Sequence, residues 1–185
     1  MNRREALSAT ALLLGGTIVG AQTFLSGCSN PRKNIIPFGP EDISLLDEVA
    51  DTILPETPDS PGAKAARLGE FMKIMVTECY GGEDQKNFEA GILSIREASE
   101  KMFGDDFMKL SAQQKHDLLS SLDKEAKENK TDKSPTHYFT MMKQLTVWGY
   151  FTSEPGATKA MRYIAVPGRF EGCIPYKEGE KAWAT

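Results

Sequence analysis

Any chemistry in this chain has to come from few residues. Among 185 residues there are two histidines, His116 and His137, and three cysteines, Cys28, Cys79 and Cys173. A carboxylate di-iron site in a helix bundle needs Glu-x-x-His on two helices, but the residues three before the histidines are Gln113 and Ser134. Haem attachment needs Cys-x-x-Cys-His, and no two cysteines stand that close. No Gly-x-Gly-x-x-Gly follows a strand pattern. Ser60 and Ser153 have no histidine near them in sequence, so a hydrolytic triad has no support. Asp47, Glu48 and Asp51 recur at spacings of three and four on a helical stretch. They suit either a cation or acid/base site or a solvated helix face, and the solvated face is the commoner outcome. Methionines such as Met72, Met75, Met141 and Met142 sit at helical spacing among leucines, where they fill a core or form an adaptable contact surface. The sequence carries no recognisable catalytic apparatus, metal site or cofactor motif.

The first residues have another purpose. Met1-Asn2-Arg3-Arg4 places a short basic region before the apolar run Ala6 to Leu25, a secretory signal pattern. The pair Arg3-Arg4 points to twin-arginine export, a route for folded cargo. The run ends in Leu25-Ser26-Gly27-Cys28, which resembles a bacterial lipobox with cleavage before Cys28 and lipid on its sulfur. The competing reading is a membrane-spanning anchor with a chance cysteine, since about twenty apolar residues just span a bilayer. Residues 1–27 are therefore expected to be a lipoprotein signal and residues 28–39 a polar tether with two prolines. The mature chain from Cys28 would be acidic, with 20 basic and 25 acidic residues. It lacks a basic stripe, which sets nucleic acid aside.

On the far side of a bacterial membrane, two remaining cysteines favour a disulfide over free thiols. A Cys79–Cys173 bridge would close a long loop, worth about 4–5 kcal/mol in the chain-entropy picture. The other reading is two separately buried thiols.

The rest of the chain reads as helices. Pro40 and Glu41 suit a helix start, Ile43, Leu46, Val49 and Ile53 make an amphipathic stripe, and Pro55 ends it. A second helix is expected from about Ala63 to Tyr80 with Gly81-Gly82 as its C-terminal stop. A third runs from about Glu83 to Phe103. Ser111-Ala-Gln-Gln114 has capping-box form and opens a fourth, with Leu118, Leu119, Leu122 and Ala126 inward. A charged loop, 124–134, leads to a fifth from about Pro135 to Ser153. A short helical piece is expected near Ala157 to Tyr163. No alternating run supports a strand, so the class is all-α: a bundle of about five helices in one domain, 40–185, ending in an irregular Pro/Gly-rich arm, 155–185.

The stretch Leu145 to Tyr176 fits no simple element. Trp148, Tyr150 and Phe151 crowd three aromatics into four residues, and Pro155, Pro167 and Pro175 then forbid one long helix. Such a segment has to lie across something, either its own bundle or another protein. Trp148, Tyr150, Phe151, Phe170 and Tyr176 are the candidate partner-binding residues. A second class of function, a stand-alone lipoprotein binding a small ligand or polysaccharide, would use Trp148, Tyr150 and Trp183 as stacking platforms.

An ordered set of motifs carries a family resemblance: Leu46-Asp-Glu-Val-Ala-Asp-Thr-Ile-Leu-Pro55, Pro61-Gly-Ala63, Phe103-Gly-Asp-Asp-Phe107, Gly149-Tyr-Phe-Thr-Ser-Glu154 and Val166-Pro-Gly-Arg-Phe-Glu-Gly-Cys-Ile-Pro-Tyr176. Over about residues 40 to 176 the chain resembles the gluconate 2-dehydrogenase subunit 3 family. The resemblance implies a small subunit, not catalytic by itself, that accompanies a large flavoprotein of the glucose–methanol–choline (GMC) oxidoreductase type to the periplasm. FAD would belong to that larger sugar or polyol dehydrogenase, and electrons would pass to a cytochrome c or another acceptor. The lipobox departs from the family's usual pattern and would tether this member directly to the periplasmic side of a membrane through Cys28.

Overall fold

The computed structural model describes residues 38–128, 136–166, 168–169, 172–175 and 177–184. Arg3, Arg4, Cys28, Phe170 and Tyr176, together with the signal and nearly all of the tether, lie outside the described residues.

Among the described residues five α-helices follow one another: α1 (Pro40–Ile53), α2 (Leu68–Cys79), α3 (Gly82–Phe103), α4 (Ala112–Glu128) and α5 (Tyr138–Thr152). Among the described residues there is no strand, only isolated bridges at Thr57–Ser60 and Arg162–Trp183. The all-α expectation holds. None of these helices is long and apolar enough to cross a membrane.

α1 starts where expected because Asp42 reaches back to the Gly39 N–H at 3.0 Å, closing the first turn on an acid. The Ser111–Gln114 box is present in both directions: Gln114 Oε1 accepts from Ser111 N at 3.0 Å, and Ser111 Oγ accepts from Gln114 N at 3.3 Å. Gly104, at φ 74°, ends α3 in the left-handed conformation that only glycine adopts without strain.

Two boundaries differ from expectation. The stretch Ala63–Tyr80 is not one helix. A 3₁₀ turn, Ala63–Ala66, breaks at Arg67, whose φ of 48° redirects the chain before α2 begins. Asp47 on α1 fixes this corner by accepting from Gly69 N at 2.7 Å. Gly81 is extended and leads into α3, so the glycine pair opens a helix more than it closes one.

α1, α3 and α5 each contact all four other helices. Leu45, Leu46, Val49 and Ala50 of α1 meet Met72 and Val76 of α2, Phe88, Ile92 and Ile95 of α3, and Leu118 and Leu122 of α4. Phe38, at the end of the tether, is buried edge-on to Phe88 at 6.2 Å and pins the start of the domain to its core. Beyond α5 the chain turns through a single π-helical turn, Gly156–Ala160, and continues as the arm. Gly156 is required there, because a Cβ would stand 1.8 Å from the Tyr150 carbonyl oxygen.

Candidate partner-docking site

Two of the acidic trio on α1, Asp47 and Glu48, are occupied with structure. Glu48 Oε1 lies 2.7 Å from Nζ of Lys115, a buried lysine on α4 whose ammonium sits 5.8 Å from the Phe107 ring centre. Asp47 holds the start of α2, and Asp42 pairs with Arg96 of α3 at 2.9 Å. These carboxylates bind helices to one another. The histidines are apart: His116 is exposed beside Asp117, while His137 Nδ1 accepts from Phe139 N at 3.3 Å and caps α5. Among the described residues no group of three His, Cys, Asp or Glu side chains is placed to hold a metal ion. Burial, with Glu125 nearby, pushes the Tyr138 phenol up to about 12, so it is neutral at any physiological pH.

The disulfide expectation is corrected. Cys79 and Cys173 are both free and exposed. Cys79 ends α2, about 16 Å along the axis from Leu68. The arm is fastened at the opposite end of the bundle, where Lys181 meets Asp59 and where Leu68 approaches Gly149. A disulfide needs Cα atoms roughly 4.4–6.8 Å apart, and the two sulfurs are not bonded in this structure.

The aromatic cluster of α5 divides in two. Trp148 is 51% exposed and meets Phe71 of α2 edge-on at 5.6 Å. Phe151 is exposed one turn later and stands edge-on to Tyr150 at 5.2 Å. Tyr150 is 2% exposed. Its hydroxyl donates to the Pro61 carbonyl at 2.8 Å and accepts from Ser60 Oγ at 2.6 Å. Tyr150 is therefore a core residue that ties α5 to the 55–62 loop, which corrects its placing as a contact residue. Its burial also removes it from the stacking set of Trp148, Tyr150 and Trp183, and Trp183 has a face covered by the Arg162 guanidinium at 4.0 Å.

Trp148 and Phe151 are joined by Val147, also exposed, in a stripe along α5. α5 is thus apolar nearly all round, with Phe139, Met142, Leu145 and Tyr150 inward and an apolar stripe left outside. A helix of that kind is usually surrounded by protein. Ile74 on α2 is exposed as well. Gly149 permits the close contact with α2, since a Cβ would fall 2.6 Å from the Phe71 ring. Beside the stripe lies an open cleft of about 520 Å³, lined by Leu54, Pro55, Ser60, Tyr150, Phe151 and, from the arm, Lys181.

The arm folds back against this end. Arg162 N donates to the Ala182 carbonyl at 2.8 Å and Ala184 N to the Arg162 carbonyl at 3.0 Å. Arg162 also reaches Glu180 at 3.4 Å. Lys181 Nζ donates to the Asp59 carbonyl at 3.0 Å and to that of Lys159. Beyond these contacts Tyr163, Ile164, Val166 and Ile174 are exposed, Val166 at 80%. Sequence reasoning passed over Val147, Ile74 and the Arg162–Ala182 fastening. The first was detectable as an apolar residue on the supposed polar side of α5. The last joins residues twenty apart with no local pattern.

The family model for gluconate 2-dehydrogenase subunit 3 matches residues 40–168. No curated protein and no solved structure matches the chain.

Proposed function

The chain belongs to the gluconate 2-dehydrogenase subunit 3 family, and from that premise we propose that it is the non-catalytic small subunit of an exported, FAD-dependent dehydrogenase of the GMC type. It escorts the flavoprotein through the twin-arginine route, stabilises it, and anchors it on the periplasmic side of a membrane through lipid on Cys28. The flavin and the catalytic groups reside in the large subunit, which oxidises a sugar or polyol and passes electrons to a cytochrome c or another acceptor. The observation that carries the reading is the family match, which covers all five helices and the arm as far as Gly168. The apolar stripe on α5 supports it, since an exposed stripe of this kind marks a protein-contact surface.

Purification of the native chain from membranes tests the reading. A larger flavin-bearing subunit should accompany it, with dye-reducing activity towards a sugar or polyol. Cys28→Ala should release that activity from the membrane fraction. Repeated recovery of the chain alone, or sugar oxidation by the purified chain without added flavin, would sink the reading.

A further inference from the structure

Besides exposed apolar residues elsewhere on the bundle, such as Ile74, Leu93 and Met102, two groups stand towards the C-terminal end of the chain: Val147, Trp148 and Phe151 on α5, and Tyr163, Ile164, Val166 and Ile174 on the arm. The cleft is lined by Phe151 of α5 and by Ala160, Gly179 and Lys181 from the segment that follows it, so α5 and the arm share its wall. Charge divides along the same line. Residues 155–185 carry five basic residues (Lys159, Arg162, Arg169, Lys177 and Lys181) against three acidic ones, a formal +2. The whole chain is −4, so residues 1–154 carry −6. Lys159 and Lys177 are exposed, and their ammonium groups form no ion pair among the described residues.

Resting on the reading of the chain as a dehydrogenase subunit, we infer that the α5 stripe, the cleft and the arm make one docking surface, and that its occupant is an apolar ridge bordered by carboxylates on the flavoprotein subunit. The apolar groups supply contact area and the concave cleft receives a protruding side chain. The basic rim meets acidic groups, which set register and speed encounter. A bilayer is the poorer fit, because a flat surface cannot enter a cleft. A second copy also fits poorly. A two-fold pair whose axis passes through this surface would set basic arm against basic arm.

The test uses the native complex purified with the full chain, its flavin-bearing subunit identified by flavin fluorescence and mass spectrometry. Dissociation is followed by dilution at several salt concentrations. The double variant Lys159→Glu/Lys177→Glu should raise the dissociation constant at least tenfold at low salt, and the difference should shrink at high salt. Trp148→Ala should raise it at least tenfold at every salt concentration. Lys124→Glu, on α4 away from the arm, should stay within twofold, and all three variants should keep the wild-type helical signal. Wild-type binding by the charge-reversed variant, or equal weakening by Lys124→Glu, overturns the inference and leaves the subunit reading standing. So does binding of the isolated full chain to phosphatidylglycerol–phosphatidylcholine vesicles that the same reversals abolish while the complex persists. If the wild-type chain brings down no flavoprotein, the subunit reading itself fails and this inference with it.

Discussion

The bundle and the arm are held by different physics. In the bundle, α1 and α5 bury leucine, methionine and phenylalanine side chains against every other helix, and polar groups only trim the joints. In the arm the order reverses. Apolar side chains face outward, and the fastening consists of two backbone hydrogen bonds, a loose ion pair, a lysine on two carbonyl oxygens and a cation over an indole. The Arg162 Nε is even buried without a hydrogen-bond partner, which costs about 1–3 kcal/mol. Burial is cooperative and insensitive to salt, whereas exposed polar contacts are individually weak and screened. The molecule thus has a body held by burial and an end held by exposed polar contacts.

The largest effect should come from the body. Phe88 of α3 is fully buried and packed edge-on against Phe38. Phe88→Ala should cost about 3–5 kcal/mol by lost burial and the cavity left behind. Urea unfolding followed by circular dichroism measures it. A loss under about 1 kcal/mol would mean that the body is as loosely packed as the arm, and the contrast would disappear.

Tyr150 lies on the seam. Tyr150→Phe keeps the ring buried but strips the Pro61 carbonyl and Ser60 of their partner. A loss of about 1–2 kcal/mol is expected, with faster proteolysis in the 55–62 loop as a second signature. Full wild-type stability with weakened partner binding would return this residue to the docking surface.

The residues that sequence reasoning placed well are those whose role is set by their nearest neighbours along the chain. Pro40, the Ser111–Gln114 box, Gly104 and the inward Leu118, Leu119 and Leu122 answer to helical period and capping, and five helices follow from them. Arg67 did not announce its left-handed φ, because what enforces it is Asp47, twenty residues earlier, pulling on Gly69. Tyr150 was misplaced for a like reason. At helical spacing it is indistinguishable from Trp148 and Phe151 until Ser60 and Pro61 are known to lie across from it. The expected Cys79–Cys173 bridge rested on compartment and count, and neither says that one thiol ends α2 while the other travels with an arm fastened elsewhere. Of the docking surface, Trp148 and Phe151 were legible as aromatics, but Lys181 on the Asp59 carbonyl was not.

Polar joints within the body should matter less than Tyr150. Asp123 of α4 accepts from Lys127 and from Lys143 of α5, and these contacts hold its carboxyl below the usual range. Its folded value is lower than its unfolded one, so the stabilisation is present above the unfolded value and is lost as the pH falls through the folded one. The loss begins below about pH 4. With both lysines substantially exposed it should stay under about 1 kcal/mol. The stability gap between wild type and Asp123→Asn should therefore narrow on acidification. A gap that is unchanged at pH 3 would mean that the pair contributes nothing in solution.

The smallest effect on the body should come from the residue that matters most to the arm. Arg162 makes the Glu180 contact and covers Trp183, yet among the described residues it forms no ion pair or ring contact with a bundle helix. Arg162→Ala should leave the urea midpoint of the bundle within about 0.5 kcal/mol of wild type, as for a surface substitution. Hydrogen exchange should show something different and local. The Arg162 and Ala184 amides, which donate across the clasp, should lose protection and exchange at nearly the rate of free peptide. Amides of α1 and α5 should be unchanged. If the bundle midpoint falls as far as it does in Tyr150→Phe, the arm is part of the folding unit. The distinction between a body held by burial and an end held by polar contacts would then have to be redrawn inside α5 itself, between the inward Leu145 and the outward Trp148.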